Sequence, residues 1–354
     1  VFLFLFFPLC SHAEGDFDFN AVGTKIAQNV EFHGYYEFEY WSEQEKNNSF
    51  DAHKIVVWMG VPVNTMVFLS SEFEYEHFPR LEDGTVRPGG NGELKLDSAQ
   101  LRITPIENSA VYMGVFYVPF GIEYFSYPGH KNKLVTRPKV MKSGGIIPGT
   151  WSDVGIGFNQ VFDRVGEVDL FYVNGDAKTG GVSRDSSSGG NEGKTAGIRF
   201  MFNRAIEGLN IGVSYASGKH DEAGRLYAKR YGVHLRIDLD VITEAAMAPV
   251  LLGEYVSGTN EGVSSVLNSL GTPKDQDVSG FYAQLSSKVF PGVQLVTRYG
   301  QFDEDKKKAD NGKTELSVGA VLTPLTNFLL KGEYHLQWND GKNNAIVAQA
   351  VVHW

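Results

Sequence analysis

Apolar and polar residues alternate along much of this chain with a period of two, which is the period of a β-strand. In the segment EFHGYYEFEY, the apolar or small residues Phe32, Gly34, Tyr36, Phe38 and Tyr40 alternate with mostly polar ones. The same pattern recurs in the segments MVFLSSEFEYEH, GEVDLFYV, RYGVHLRID, VQLVTRYG and LLKGEYHLQW. Each of these segments is therefore predicted to be a strand with one apolar face and one polar face.

The connections between the predicted strands are alternately short and long. Short turns are predicted at 62–65, 105–108, 163–166, 204–207, 290–292 and 324–327. Longer polar connections are predicted at 42–50, 78–92, 119–150, 174–193, 217–225, 257–277, 303–313 and 339–344. This alternation is typical of a transmembrane up-and-down antiparallel β-barrel of an outer membrane, here with about sixteen strands. A barrel of that width cannot be filled by its own side chains, so the polar faces are expected to line an aqueous lumen.

The chain ends on an alternating segment, AIVAQAVVHW, that stops at Trp354. A closed barrel has no free sheet edge, so the last strand is predicted to pair with the first. We expect the Trp354 ring to lie in the interfacial aromatic girdle, and the ending resembles the C-terminal signal of outer-membrane barrels. The alternative is an ordinary terminal edge strand.

The N-terminal segment VFLFLFFPLCSHAEG is an apolar block followed by small residues. It is too short to span a bilayer as a helix and is typical of the end of a secretory signal peptide. Residues 1–13 are therefore predicted to be a signal remnant, and residues 14–354 a single barrel domain. The alternative is a buried N-terminal strand. The single cysteine, Cys10, would leave with the signal, so neither a disulfide nor a thiolate metal site is expected.

The composition agrees with a β-rich protein that does not bind nucleic acid. The chain has 40 glycines, 24 phenylalanines and 16 tyrosines, and its formal net charge is −10. Nucleic-acid binding proteins usually show a basic domain or stripe instead. The sequence contains no His-Glu-x-x-His pair and no Gly-x-Ser-x-Gly motif, so no catalytic residue, metal site or cofactor is predicted. A catalytic triad assembled across strands stays open as an alternative.

The longest predicted connection, 119–150, is unusually basic. It carries five basic residues against one acidic residue, Glu123, in a chain that is acidic overall. Structureless connections of this length are usually functional or disordered. As the third external loop, it is predicted to fold into the lumen, narrow it and attract anions. The predicted anion-binding residues are Lys131, Lys133, Arg137, Lys139 and Lys142. The alternative is a surface loop whose lysines meet lipopolysaccharide phosphates or water.

Charged residues on the polar faces of the predicted strands are candidates for the lumen wall. They carry both signs, so the wall alone predicts no strong ion preference. The candidates are Arg102, Arg230, Arg236, Arg298, Glu72 and Glu74.

Two segments around the basic loop resemble the phosphate-selective porin family of Gram-negative outer membranes. The first, VYMGVFYVPFGIEYF, has the family's Gly-x-Phe-x-Val-Pro-Phe-Gly pattern at Gly114, Phe116 and 118–121. The second starts with GTWSDVGIGF and matches an Asp-Val-Gly pattern at 153–155. The resemblance implies an integral outer-membrane channel of sixteen strands, a homotrimer with a basic constriction. It further implies small anionic or neutral solutes, outer-membrane lipid and lipopolysaccharide as partners.

Two functions are consistent with the sequence. The first is an outer-membrane porin, a water-filled diffusion channel for small hydrophilic solutes with a preference for anions, including phosphate or other oxyanions. The second is a non-conducting barrel that acts as a scaffold or a surface-interaction protein for a partner.

Overall fold

The computed structural model describes residues 29–77, 81–82, 85–86, 92–122, 128–141, 146–148, 150–178, 193–221, 223–243, 247–338 and 344–354. The predicted signal remnant, Cys10 and the loop residue Lys142 lie outside these ranges. Within them, no helix has the length and apolar character needed to cross a membrane.

Sixteen of the strands form one closed barrel in which every neighbouring pair is antiparallel, as the sequence predicts. The strands are β1 (Glu31–Glu43), β2 (Ser49–Pro62), β3 (Val67–Glu76), β4 (Leu81–Glu82), β5 (Thr85–Val86), β6 (Glu93–Ile106), β7 (Ser109–Tyr117), β8 (Ser152–Phe162), β9 (Gly166–Val173), β10 (Thr195–Phe202), β11 (Leu209–Lys219), β12 (Tyr227–Asp238), β13 (Val250–Asn260), β14 (Gln276–Phe290), β15 (Val293–Asp303), β16 (Lys313–Leu325), β17 (Phe328–Trp338) and β18 (Ala345–His353). The two-residue strands β4 and β5 pair only with each other, in the connection between β3 and β6.

The barrel is apolar outside and polar inside. In β17, Lys331, Glu333 and His335 point inward and are buried, whereas Leu330, Gly332 and Tyr334, which alternate with them, are exposed. This arrangement follows from strand geometry, since successive side chains point to opposite faces of a sheet. An apolar outer surface on a closed sheet is suited to hydrocarbon surroundings, where every backbone polar group must be paired within the protein.

Strands β1 and β18 close the barrel, as the final alternating segment predicts. They pair from Tyr35 with His353 to Glu43 with Ala345. Beyond β18, the backbone N–H groups of Gly34 and Trp354 each donate to the carbonyl of the other residue, over 3.2 and 3.0 Å. The Trp354 side chain is 49% exposed on the outer surface. Trp354 thus completes the seam between the first and the last strand.

One end of the barrel carries the short connections and the other end carries the long ones. The connection between β12 and β13 is the exception at the short end, because it contains a helix, α1 (Leu239–Thr243). No short turn was predicted there, since the segment around 239–250 shows neither clear alternation nor a clear turn signal.

The third long connection, between β7 and β8, lies inside the barrel. It contains a 3₁₀ helix, Lys139–Met141, whose residues Val140 and Met141 are buried. Together with Phe120, Ile146 and Ile147, these residues pack against inward-facing side chains of the wall. The wall residues in this cluster include Phe171, Ala216, Val256, Tyr282 and Phe302. This part of the wall differs from the wet, polar lining that the alternation predicts, because here the wall faces the folded loop.

Candidate pore constriction

The loop between β7 and β8, hereafter the constriction loop (residues 118–151), leaves the wall through a left-handed turn. Gly121 has a φ of +68°, which glycine adopts without steric cost. Its N–H donates to Ser214 Oγ over 3.0 Å, and Arg199 donates to its carbonyl over 3.4 Å. Arg199 is itself fixed by a 2.7 Å ion pair with Asp169. Side chains of β10 and β11 therefore hold the first turn of the loop in place.

A buried carboxylate on β17 anchors the middle of the constriction loop. Glu333 accepts hydrogen bonds from the N–H groups of Val135 and Thr136, over 2.7 and 2.8 Å, and from the Thr136 hydroxyl. Arg298 donates to the Thr136 carbonyl over 2.7 Å and lies 3.9 Å from Glu333. The loop N–H groups thus stabilise the buried negative charge of Glu333, and the carboxylate in turn provides these N–H groups with acceptors.

Three further wall side chains hold the loop backbone. The N–H of Lys139 donates to Glu315 over 3.0 Å, and the Lys139 ammonium donates to Gln337. Arg230 donates to the Ile146 carbonyl, and Lys331 donates to the Gly129 carbonyl. These contacts distribute the attachment of the loop over β12, β16 and β17.

A basic cavity of about 310 Å³ opens between the constriction loop and the wall near the end with short connections. Lys131 and Lys133 of the loop line it together with Arg236 of β12 and Lys288 of β14. Two carboxylates, Asp238 and Asp240, also line it, and Arg236 donates to Asp238 over 3.0 Å. Four cationic groups thus face two anionic groups in one concave site.

The electrostatic environment of Lys133 reflects this crowding of positive charge. Burial of its ammonium, and then the charges of Arg236 and Lys288, lower the pKa of Lys133 below its ordinary value of 10.5. Bound anions oppose this effect, since an opposite charge nearby favours the protonated amine. The cavity therefore gathers positive charge from both the loop and the wall.

A second cavity of about 310 Å³ lies on the other side of the barrel and has mixed charge. Arg102 and Glu72 line it, along with Glu167 and the Asp169–Arg199 ion pair. Glu72 also accepts a 2.6 Å hydrogen bond from the Tyr117 hydroxyl. This cavity offers both signs of charge to a solute and favours neither strongly.

The structure brings together some of the predicted site residues and separates others. Lys131, Lys133 and Arg236 line the basic cavity, whereas Arg137 donates to Thr150 Oγ1 within the loop over 2.6 Å. Lys139, Arg230 and Arg298 contact the loop or its anchors on the wall, and Arg230 and Arg298 are fully buried. Arg102 and Glu72 line the second cavity, while Glu74 is buried in a 2.9 Å ion pair with Lys54.

The sequence analysis did not predict which wall residues anchor the loop, although Glu333 was expected to face the lumen. Glu333 and Glu315 are single acids on alternating strands, and nothing local marks them as loop anchors. Glu333 is 198 residues from Val135 along the chain. Lys288 lies at the end of β14 next to a turn, and only the register of β14 places it near Lys133.

The residues of the family-like motifs have clear structural roles. Phe116 and Phe120 belong to the apolar cluster that seats the loop. Asp153, fully buried at the start of β8, accepts from the N–H groups of Val154 and Gly175 over 2.8 and 3.1 Å. The motifs therefore fix both ends of the constriction loop against the wall.

Solved structures of outer-membrane porins resemble this barrel over most of its length. OmpF of Salmonella typhi, solved with daunomycin, has a TM-score of 0.64 and 12% identity, covering 92% of this chain and 97% of that chain. The anion-selective porin of Comamonas acidovorans has a TM-score of 0.64 and 11% identity, covering 92% and 99%. OmpT of Vibrio cholerae, an outer-membrane protein in its trimer form, has a TM-score of 0.61 and 13% identity, covering 92% and 99%. These similarities show the fold. No protein-family model and no curated protein sequence matches the chain.

Proposed function

We propose that this chain is an integral outer-membrane porin of a Gram-negative bacterium, a diffusion channel for small hydrophilic solutes that favours anions. The observation that carries the proposal is the basic cavity beside the constriction loop, where Lys131, Lys133, Arg236 and Lys288 converge inside a closed barrel with an apolar outer surface. The fold similarity to porins supports the channel class.

The anion preference follows from the position of these charges. Two unit charges 4 Å apart interact by roughly 4 kcal/mol at an effective dielectric constant of about 20. Four cations around one cavity thus outweigh the two carboxylates there. The resemblance to phosphate-selective porins makes phosphate and other oxyanions the first solutes to compare.

The protein is proposed to work as a homotrimer. An extensive apolar outer surface gives neighbouring barrels a face to share in the membrane, and OmpT of Vibrio cholerae, similar in fold, is known in a trimer form. The mass of the detergent-solubilised particle, measured by light scattering after subtraction of detergent, tests this part of the proposal. A particle with the mass of one chain would contradict it.

Liposome swelling tests the channel function. Liposomes containing the purified protein should swell in small neutral sugars, and they should swell faster in an anionic amino acid than in a cationic one of similar size. The double variant Lys131→Glu, Lys133→Glu should reverse that order, while Lys308→Glu, at an exposed lysine in the connection after β15, should not. Swelling no faster than in protein-free liposomes would contradict the porin and favour the scaffold function.

A further inference from the structure

Two histidines and an aspartate meet at the long-connection end of strands β2 and β3. His77 Nδ1 lies 2.9 Å from Asp51 Oδ2, and His53 Nδ1 lies 3.3 Å from the same oxygen. The two imidazole rings are in contact, with 5.2 Å between their centroids. This His–Asp–His cluster is separate from the basic cavity and takes no part in holding the constriction loop.

Strand geometry places His53 beside Asp51, because side chains two residues apart on a strand point to the same face. Along the β1–β2 ladder, Glu37 pairs with Lys54 and Glu39 pairs with Asp51, so two residues of β2 oppose one residue of β1. This β-bulge turns Lys54 to the face that Asp51 and His53 share. The His53 ring lies near both acids of β1, with Nδ1 3.8 Å from Glu39 and Nε2 3.9 Å from Glu37.

The backbone at His77 brings the second imidazole to the same place. His77 follows directly after β3 and has a φ of 49°, a left-handed conformation that is uncommon for any residue other than glycine. Its N–H donates to the His53 carbonyl over 2.8 Å, which holds the two residues side by side. The strand pairing and the left-handed turn together aim both rings at one carboxylate.

The donor atoms lie close enough together for one ion to reach all three with small side-chain movements. Nitrogen and oxygen ligands lie about 2.0–2.2 Å from zinc, so neighbouring ligands of a tetrahedral ion are roughly 3.3–3.5 Å apart. One donor atom from each of Asp51, His53 and His77 lies within 4.8 Å of the others, and the same holds for Glu37, Glu39 and His53. Three protein ligands leave a fourth position open for water or a solute.

The surroundings are acidic and contain an unsatisfied carboxylate oxygen. Glu37 is 2% exposed, and its Oε1 has no hydrogen-bond partner among the residues that the structure describes. The nearby ammonium of Lys54 pairs with Glu74 over 2.9 Å. A cation bound by the histidines would balance the buried charge of Glu37 and Glu39.

We propose that Asp51, His53 and His77 form a site for a divalent transition metal, zinc or a similar ion, near the outer mouth of the lumen. Imidazole nitrogen and carboxylate oxygen are the ligands that such ions prefer. Glu37 and Glu39 lie within 4 Å of the His53 ring and supply compensating negative charge. Metal binding at this site requires only the folded barrel, so it can be tested whether or not the protein conducts ions or prefers anions.

Calorimetric titration of the folded, detergent-solubilised protein with zinc chloride tests the proposal. The wild-type protein should bind one zinc ion per chain, and EDTA should remove it. His53→Gln and His77→Gln should each weaken zinc binding by at least about tenfold. The control His33→Gln, at an exposed histidine that stacks on Trp58 and is not part of the cluster, should leave the affinity unchanged.

Cobalt gives a second, spectroscopic test. Co²⁺ bound in the site should produce visible d–d absorption, and added zinc should remove that absorption by displacing the cobalt. His77→Gln should abolish the absorption. His77 lies at the exposed end of β3, so His77→Gln is expected to fold even if His53→Gln does not. Folding of each variant is checked by the shift of its band between heated and unheated samples on gel electrophoresis. Absence of stoichiometric zinc binding, or equal affinity in His77→Gln and the wild type, would overturn the proposal.

Discussion

Lys133 combines burial with a like-charged environment. It lies in the basic cavity, where the charges of Arg236 and Lys288, which have the same sign as its own, act on it. Both burial and like charge disfavour its protonated form, so the pKa of Lys133 is lowered from its ordinary 10.5. The proposed anion preference of the cavity should therefore depend on pH.

The first prediction concerns this pH dependence. Lys133 is charged below its pKa, so raising the pH from about 7 into the alkaline range should remove its charge earlier than that of an ordinary lysine. The reversal potential in a potassium chloride gradient should therefore move away from the chloride potential as pH rises. In Lys133→Arg the guanidinium stays protonated, so the movement should be much smaller. An identical pH profile in the two proteins would contradict this role of Lys133.

At the scale of elements, the attachment of the constriction loop depends on a few long-range contacts. Glu333 accepts three hydrogen bonds from Val135 and Thr136, and Arg298 completes the group. Leaving a buried N–H without an acceptor costs about 1–3 kcal/mol. Removing the Glu333 carboxylate should thus release the middle of the loop more than it weakens the barrel.

The second prediction tests this attachment with Glu333→Ala. The variant should insert and fold as a barrel, but its single-channel current should be noisier and the loop should be cut faster by added protease. Glu207→Ala, at an exposed glutamate in a short turn, is the matched control and should behave as the wild type. Quiet currents and unchanged proteolysis in Glu333→Ala would show that the loop is held in another way.

The third prediction concerns the closure of β1 on β18. A Cβ added at Gly34 would lie 2.5 Å from the Val56 carbonyl oxygen and would also meet the Trp354 ring. Gly34→Ala should therefore destabilise the barrel by about 1–3 kcal/mol, the usual cost of overpacking. Gly332→Ala in β17 is the matched control, because nothing lies within 4 Å of its added Cβ. The urea concentration at which half of the protein is unfolded, read from the folded band on gel electrophoresis of unheated samples, should fall only in Gly34→Ala.

The elements were predictable from the sequence to different degrees, for physical reasons. The alternation of lipid-facing and lumen-facing residues repeats every two residues, so strands such as β17 and the closing strand β18 are visible locally. Helix α1 and the contacts of Glu333, Lys288 and Arg230 with distant segments leave no local pattern. The His–Asp–His cluster was also missed, because it depends on the pairing of β2 with β3 and on the left-handed backbone at His77.

At the scale of the whole molecule, an acidic chain gathers positive charge at one site inside its barrel. The formal net charge is −10, yet the cavity beside the constriction loop is lined by four cationic groups and two carboxylates. The proposed anion preference depends on these local charges more than on the charge of the whole protein. Among the buried acids of the wall, Glu74 is paired with Lys54.

The reversal potential of the wild-type protein in a planar bilayer, measured at neutral pH under a potassium chloride gradient, tests this account most directly. We predict a reversal potential displaced toward the chloride potential, and a displacement toward the potassium potential in the double variant Lys131→Glu, Lys133→Glu. A wild-type value on the potassium side would contradict the anion preference. The absence of any conductance from correctly folded protein would contradict the channel itself.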